Sequence, residues 1–196
     1  MERDQLNNLL ESLVSLPKET DWVEFKMNNG NPDSIGKYVS ALANCAILCV
    51  KERAYFVLGV DDLDHSIVGT EVRLATKKIG NEDFLLWLPK NLSPRLTIEH
   101  RELDVNGLHV EFLIVSPAFR HPVRFKNCAY IRVDSNLQKL DVYPDRESTI
   151  WQAVSRYAFE RQKCLYGLNA DVLKESFFID KMASKLKQSS TSITSM

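Results

Sequence analysis

Two acidic segments carry the residues of this sequence best suited to chemistry. Glu19-Thr-Asp-Trp-Val-Glu24-Phe-Lys26 is typical of a turn that enters a short strand, and Gly59-Val-Asp-Asp62 of a buried strand that opens into a loop. A helix is predicted between them, so a β-α-β arrangement would bring Glu19, Glu24 and Asp62 together. Carboxylate oxygens grouped in this way bind Mg²⁺ or Mn²⁺, ions that catalyse phosphodiester cleavage.

These carboxylates have an alternative interpretation as solvated turn residues. Glu19 and Glu24 are five positions apart, a spacing that does not place them on one face of a regular strand or helix. They converge only if Glu19 lies in the turn and Glu24 inside the strand. Asp61 is an alternative to Asp62 as the third carboxylate. Lys26 shares a strand face with Glu24, where it would neutralise a phosphate or simply remain a surface lysine.

A second group of candidates is basic and lies along a predicted hairpin. Its members are Arg120, His121, Arg124, Lys126, Arg132 and Lys139, with Phe125 and Tyr130 among them. Arginines interleaved with aromatic residues on a β-ribbon suit phosphate contact and base stacking. The residues expected to bind nucleic acid are Arg124, Lys126, Arg132 and Lys139. The alternative is a solvated edge hairpin that charge keeps soluble.

The elements that must position these residues predict an α+β fold with a mixed, largely antiparallel sheet and packed helices. Hydrophobic periodicity predicts helices over 4–16, 35–50, 74–88 and 145–163, and strands over 22–26 and 54–60. Hairpins are predicted over 96–115, with a tight turn at Asn106-Gly107, and over 122–133. The acidic and basic groups therefore lie on different parts of one fold.

The length of 196 residues, with 44% hydrophobic and 26% charged residues, suits one domain with short extensions. We expect an N-terminal helix over 1–16, the main domain over 17–165, a helical extension over 166–187 and a disordered tail over 188–196. The net charge of −1 carries no bulk electrostatic signature of nucleic-acid binding. Any such surface must therefore be a local patch.

The cysteines indicate a reducing compartment. Cys45, Cys49, Cys128 and Cys164 form no CxxC pair and have no close histidine, a pattern that favours buried thiols over a zinc site. The polar N-terminus is unlike a signal peptide, and no apolar run approaches the roughly 20 residues of a membrane span. We therefore expect a cytoplasmic protein without a membrane segment.

Several motifs in order resemble the AlbA-like nucleic-acid-binding domain of the Schlafen proteins. They are Glu19-x4-Glu24-Phe-Lys, Val39-Ser-Ala-Leu-Ala-Asn44, Phe56-Val-Leu-Gly-Val-Asp-Asp62, Ile67-Val-Gly69, Pro94, Pro122-Val and Tyr130-Ile-Arg-Val-x-Ser135. The resemblance extends over about residues 15–140. It implies a single AlbA-like lobe.

The resemblance also implies an activity. In Schlafen proteins this domain is a metal-dependent endoribonuclease acting on structured RNA such as tRNA, and its acidic residues correspond to Glu19, Glu24 and Asp62. Lys26 would face the scissile phosphate, and RNA is favoured over DNA. Bacterial relatives are usually described as non-catalytic DNA-binding or regulatory modules, which remains an alternative, as does a dimerising interaction domain. Because the Schlafen core has two such lobes, a homodimer would supply the second.

The sequence departs from the family pattern after the predicted central helix. Asn44 is followed by Cys-Ala-Ile-Leu-Cys-Val-Lys-Glu-Arg, whereas the family usually has a glycine pair close after this asparagine. Without those glycines the turn is not suited to a close backbone approach to phosphate. The longer apolar run predicts that the helix continues for an extra turn.

Overall fold

The computed structural model of the chain describes residues 3–16, 20–134 and 136–165, with side chains as far as residue 155. The chain divides into two units, Met1–Arg156 and Tyr157–Met196, and the sheets described below belong to the first. The predicted extension over 166–187 and tail over 188–196 lie outside the described residues. The helices are α1 (Arg3–Val14), α2 (Pro32–Leu48), α3 (Phe84–Lys90) and α4 (Pro144–Leu165), with a 3₁₀ turn at Leu140–Val142.

The strands form two four-stranded sheets and one small hairpin. They are β1 (Val23–Lys26), β2 (Ala54–Leu58), β3 (Lys78–Ile79), β4 (Glu82–Asp83), β5 (Leu92–Ser93), β6 (Ile98–Val105), β7 (Leu108–Val115), β8 (Arg124–Phe125), β9 (Cys128–Val133) and β10 (Asn136–Lys139). The first sheet has the order β1-β2-β7-β6 and the second has the order β10-β9-β8-β5. Among the strand pairs that the structure describes, only β1–β2 is parallel, so the predicted α+β fold with a largely antiparallel sheet is confirmed.

Helices cover both faces of the first sheet, α1 on one face and α2 on the other. On one face, Val23 and Phe25 of β1 pack with Leu6, Leu10 and Leu13 of α1. On the opposite face lies α2, which is apolar around most of its surface and joins β1 to β2. Because alternate strand residues point to opposite faces, burial of Val23 and Phe25 directs the side chains of Glu24 and Lys26 toward the α2 side.

The second sheet is held to α2 by buried polar side chains rather than by apolar contact alone. The Asn44 side chain accepts a hydrogen bond from Val123 N at 2.7 Å and donates to Val123 O and Tyr130 O, both at 2.9 Å. Ser40 Oγ donates to Val123 O at 2.7 Å. Gly36 lies directly under Phe125, where a Cβ would come within 2.2 Å of the ring. These contacts place β8 and β9 along α2.

One predicted helix was wrong, and several short strands were not predicted. The apolar spacing over 74–88 predicted one helix, but the chain forms the β3–β4 hairpin there and only α3 is helical. Gly80, at φ +60°, reverses the chain between β3 and β4, and the buried Leu74, Phe84 and Leu88 then meet through the turn instead of along a helix. Strand β10 was also not predicted, because its sequence is polar.

Other local predictions are confirmed. Both two-residue hairpin turns, Asn106-Gly107 and Lys126-Asn127, have positive φ at both positions, as the tight turns between antiparallel strands require. Helix α2 continues past Asn44 to Leu48, the extra turn that the missing glycine pair predicted. Among the helices that the structure describes, none is long and apolar enough to cross a membrane.

Candidate metal and nucleic-acid site

Strand β1 brings two of the predicted site residues to one buried position. The Glu24 side chain is only 4% exposed, and Lys26 on the same face is 22% exposed. The Lys26 ammonium lies 3.0 Å from Glu24 Oε1 and 2.7 Å from Asp62 Oδ2. Two of the three predicted metal ligands therefore meet at one lysine nitrogen.

The parallel pairing of β1 and β2 explains this convergence. Lys26 pairs with Leu58, and Gly59 N donates a hydrogen bond to Lys26 O at 2.8 Å. The loop after β2 therefore begins beside the end of β1 and carries Asp62 back over Lys26. Asp61, the alternative third carboxylate, instead accepts a hydrogen bond from Leu63 N within the loop.

Arg132 of β9 closes the other side of the Glu24 carboxylate. Its Nη2 lies 2.8 Å from Glu24 Oε2, and its Nη1 donates to the carbonyl oxygens of Thr20 and Val23. Arg132 is 4% exposed, so it lies inside the fold and not among the exposed basic residues with which the sequence grouped it. Glu24 therefore has a cation on each oxygen, Lys26 on one and Arg132 on the other.

The electrostatics of the cluster follow from this arrangement. Burial lowers the pKa of Lys26, but the hydrogen bond to Asp62 and the charge of Glu24 outweigh it, so the pKa lies above its usual value. The Lys26 hydrogen bond holds the pKa of Asp62 below its usual range. Burial and the neighbouring Glu24 charge raise the pKa of the Tyr38 hydroxyl on α2. The directions of these shifts keep Lys26 cationic and Asp62 anionic near neutral pH.

Glu19, the third predicted metal ligand, lies outside the described residues. A carboxylate that sequence reasoning did not single out lies in the turn before β1: Asp21, which is 29% exposed and 3.8 Å from the Arg146 guanidinium. Burial raises the pKa of Asp21, and the charges of Arg132 and Arg146 oppose that shift. Its position between Glu19 and Glu24 could have marked Asp21 as a site residue. The spacing alone, however, fits a solvated turn residue equally well.

The predicted nucleic-acid-binding residues do not form one surface. Arg124 is exposed on β8 opposite Ala129, whereas Lys139 is exposed on β10 opposite Tyr130. Since neighbouring residues of β9 point to opposite faces of the sheet, Arg124 and Lys139 also project from opposite faces. Lys126, in the β8–β9 turn, is half-exposed and bonds Asp33 at 2.7 Å.

Lys126 also covers two aromatic rings. Its ammonium lies 5.4 Å from the Trp87 ring centre and 5.5 Å from that of Phe125. Its partner Asp33 is in the first turn of α2, the helix whose Tyr38 approaches Glu24 and Lys26. Five residues of helix rise about 7.5 Å, which is the separation of Asp33 and Tyr38 along the axis of α2. Arg132 of the carboxylate cluster contacts Cys45 farther along the same helix.

A second buried carboxylate, missed by the sequence analysis, lies on the β6–β7 hairpin. Glu111 has no exposed surface, and it contacts His100 Nε2 at 3.1 Å and His109 Nε2 at 3.0 Å. Among the residues that the structure describes, the group whose atoms could hold a metal ion is His100, Glu102 and Glu111, all within 4.8 Å of one another. The histidines are scattered in sequence, and the strand register that gathers them was the missing information.

Comparison with known proteins gives a family. The sequence model of the Schlafen AlbA_2 family matches residues 19–141, more than half of the chain. Among curated proteins, none matches significantly. Among solved structures, the DIP2311 protein from Corynebacterium diphtheriae is similar, with a TM-score of 0.47 and 19% identity over 70% of this chain and 26% of that one.

Proposed function

This chain belongs to the Schlafen AlbA_2 family, which indicates a function connected with nucleic acid, and we propose that it binds structured RNA such as tRNA and cleaves it with Mg²⁺ or Mn²⁺. The observation that carries the proposal is the meeting of Glu24 and Asp62 at the Lys26 ammonium. Two carboxylates from separate elements directed at one point offer oxygen ligands to a divalent cation that takes the place of the lysine.

The donor set suits a hard cation. Glu24 and Asp62 offer only carboxylate oxygens, the ligands that Mg²⁺ and Mn²⁺ prefer, and in this proposal Glu19 supplies a third. Mg²⁺ demands oxygens at about 2.1 Å, closer than the 2.7 and 3.0 Å that the two carboxylates keep from Lys26 Nζ. The lysine must therefore move aside when the ion binds. A bound ion would polarise a phosphoryl oxygen and lower the pKa of a water.

The remaining residues have distinct roles in this proposal. Lys26, displaced from between the carboxylates, stays beside them on a flexible stem and faces the scissile phosphate. Arg132 is a positioning residue, because its guanidinium fixes one oxygen of Glu24 and leaves the other directed at Lys26. Tyr38 borders the same carboxylate on α2.

The RNA backbone is held by the basic residues of β8 and the β8–β9 turn. Arg124 is exposed, and Lys126 presents its ammonium beside the rings of Trp87 and Phe125, a combination that suits phosphate contact next to a stacked base. Lys139 projects from the opposite sheet face, so it would contact a separate part of a large folded RNA. The salt bridge to Asp33 holds Lys126 in position before RNA binds.

A second candidate function rests on the complete compensation of Glu24. A carboxylate that is 4% exposed and paired with both Lys26 and Arg132 serves equally well as a structural ion-pair network. In that case the domain is a non-catalytic DNA-binding or regulatory module of the AlbA-like type. A protein-interaction domain that dimerises through its hairpins is the third possibility, and a homodimer would also supply a second lobe to either of the first two.

The test is cleavage of a tRNA pool in the presence of Mn²⁺, with EDTA as the metal-free control. Asp62→Asn is the preferred variant, since Asp62 is 48% exposed and the change removes a charge without opening the core. Asp61→Asn is the matched control, because Asp61 lies in the same loop and the hydrogen bond described for its side chain comes from Leu63 N. Discrete products that disappear with EDTA and Asp62→Asn but persist with Asp61→Asn are expected.

Binding is tested separately from cleavage. Affinity for tRNA should fall steeply as salt rises, because each phosphate contact releases counterions, and the Arg124→Ala/Lys126→Ala variant should lower both the affinity and the salt slope. RNA that shifts on a gel without being cut would support the non-catalytic module. Salt-insensitive binding, or none to RNA or duplex DNA, would leave the interaction domain, whose oligomeric state sedimentation would reveal.

A further inference from the structure

The β6–β7 hairpin gathers two histidines and two glutamates on one sheet face. The antiparallel register places Glu102 directly opposite Glu111, with His100 and His109 each two residues away on their own strands. Residues separated by two positions share a strand face, and directly paired residues share it too. The cluster is therefore a product of register, independent of the Glu24 site on β1.

The position of Glu111 demands positive charge nearby. Its side chain is completely buried, and Glu102 directly opposite carries a second carboxylate. Like charges that face each other across a β-ladder destabilise it, and a buried charge needs partners. The His100 imidazole is a neighbour of both, with Nε2 3.1 Å from Glu111 Oε2 and 3.8 Å from Glu102 Oε1.

The distances between these side-chain atoms are close to those between two ligand atoms of a bound zinc ion. Two ligand atoms each about 2.1 Å from a tetrahedral zinc ion lie about 3.4 Å apart. The contacts that His100 Nε2 makes with Glu111 and Glu102, at 3.1 and 3.8 Å, fall on either side of that value. All three ligand atoms lie within 4.8 Å of one another, and a rotation of the exposed Glu102 side chain would bring its oxygen to the spacing that zinc needs.

The remaining contacts hold Glu111 in a fixed orientation. Leu74 N donates to both carboxylate oxygens, at 3.1 and 3.0 Å, and His109 Nε2 lies 3.0 Å from Oε1. Outer hydrogen bonds of this kind orient metal-binding carboxylates in proteins. Leu74 belongs to the segment between β2 and β3, so the cluster joins that segment to the hairpin.

We propose that His100 Nε2, Glu102 and Glu111 bind a Zn²⁺ ion, with His109 and Leu74 N as positioning groups for Glu111. Mixed imidazole and carboxylate ligands favour zinc over Mg²⁺, whose sites consist of oxygen alone. Three protein ligands leave a fourth coordination position for water. The ion would fasten β6 to β7 at Glu111, which also anchors the 70–74 segment, and thus stabilise this part of the fold.

The test is Zn²⁺ binding to the full chain by isothermal titration calorimetry, with thermal unfolding as the second measurement. Wild type should bind one Zn²⁺ ion and gain thermal stability, and His100→Ala and Glu102→Gln should each weaken binding at least about tenfold. Glu102 is 43% exposed, so its variant folds even if others do not. The control is Glu99→Gln, since Glu99 lies on the same strand and pairs with Arg53 and Arg101.

Two further controls distinguish the proposed zinc site from the proposed nuclease site and from cysteine ligands. Asp62→Asn removes a ligand of the proposed nuclease site and should leave Zn²⁺ binding unchanged, so failure of either proposal can be recognised alone. Substitution of Co²⁺ reports ligand type, and a thiolate charge-transfer band would identify cysteines as the ligands and overturn the proposal. No Zn²⁺ binding, or binding that neither His100→Ala nor Glu102→Gln weakens, would also overturn it.

Discussion

Two buried glutamates, Glu24 on β1 and Glu111 on β7, have opposite kinds of partners. Glu24 is held between Lys26 and Arg132, whose charges are permanent at neutral pH. Glu111 is held by two imidazoles and a backbone N–H. Both carboxylates are satisfied, but only one of them has partners that can themselves bind a metal.

The partners of each glutamate determine how a metal ion can bind beside it. Ammonium and guanidinium groups have no lone pair to offer, so an ion at Glu24 must replace Lys26 as the counter-charge. An imidazole of the Glu111 cluster can release its Nε2 proton to solvent or carry it on Nδ1 instead, and can then become a ligand without leaving its position. The Glu24 cluster is therefore suited to an exchangeable ion bound by oxygen, and the Glu111 cluster to a structural ion bound by nitrogen and oxygen.

The largest expected effect is loss of the buried ion pair at Glu24. Arg132→Met should lower the free energy of unfolding by about 3–5 kcal/mol, because it leaves one oxygen of a 4% exposed carboxylate without its cation. The double variant Arg132→Met/Glu24→Leu should recover most of that loss, as measured by urea unfolding. A single variant as stable as wild type would show that Glu24 is solvated.

A glycine between the two regions should show the next largest effect. Gly59 has φ +97°, and a Cβ there would lie 2.7 Å from the carbonyl oxygen of His109. Gly59→Ala should therefore cost about 2–3 kcal/mol and weaken both regions, since the residue leads into the Asp62 loop and abuts the His109 backbone. Gly80→Ala is the control, because Gly80 also has positive φ but open space around it. Equal losses for the two variants in thermal unfolding would contradict this account.

Removing the charge of Glu111 should cost less than removing Arg132. Glu111→Gln keeps one acceptor oxygen, so we expect a loss of about 1–3 kcal/mol at pH 7. Burial raises the pKa of Glu111, but hydrogen bonds from His100, His109 and Leu74 N outweigh it, so the pKa lies below its ordinary 4.5.

A lowered pKa has a defined consequence for acid stability. The charged Glu111 stabilises the fold fully above its unfolded-state pKa, and this contribution is lost as pH falls below about 4.5 and through the lower folded-state value. The stability of Glu111→Gln should therefore vary less with pH in that acid window, as urea unfolding at several pH values would measure. An unchanged pH profile would mean that Glu111 gains nothing from its partners.

The smallest effect on stability is expected at Asp62. Asp62 is 48% exposed, so loss of its pair with Lys26 should change the free energy of unfolding by less than about 1 kcal/mol, and less still at high salt. A loss as large as that of Arg132→Met would place Asp62 in the structural network and weaken the case for an exchangeable ion.

More of the Glu24 site than of the Glu111 cluster could be predicted from the sequence. Its parts lie at the ends of β1 and β2, and a β-α-β connection brings such ends together whatever the detailed register. The position of Arg132 beside Glu24 could not be predicted in the same way. The charged and aromatic residues of its hairpin predicted an exposed nucleic-acid-binding surface instead. Its burial depends on how β9 packs along α2 through Ser40 and Asn44.

The Glu111 cluster depends on register, which periodicity does not determine. The apolar alternation of Leu108–Val115 predicted β7 correctly, and Asn106-Gly107 predicted the turn. Only the pairing of Glu102 with Glu111 shows that two carboxylates face each other. The backbone N–H of Leu74 is the third partner of Glu111, and the helix predicted over 74–88 gave no indication that Leu74 lies beside β7.

The most direct test of the central claim, that the Glu24–Lys26–Asp62 cluster exchanges its lysine for a metal ion, is Mn²⁺ binding followed by electron paramagnetic resonance. We predict a Mn²⁺ ion whose binding is lost in Asp62→Asn and retained in Asp61→Asn and His100→Ala. Mn²⁺ binding that is unchanged by Asp62→Asn would contradict the claim and leave the cluster as a structural ion-pair network.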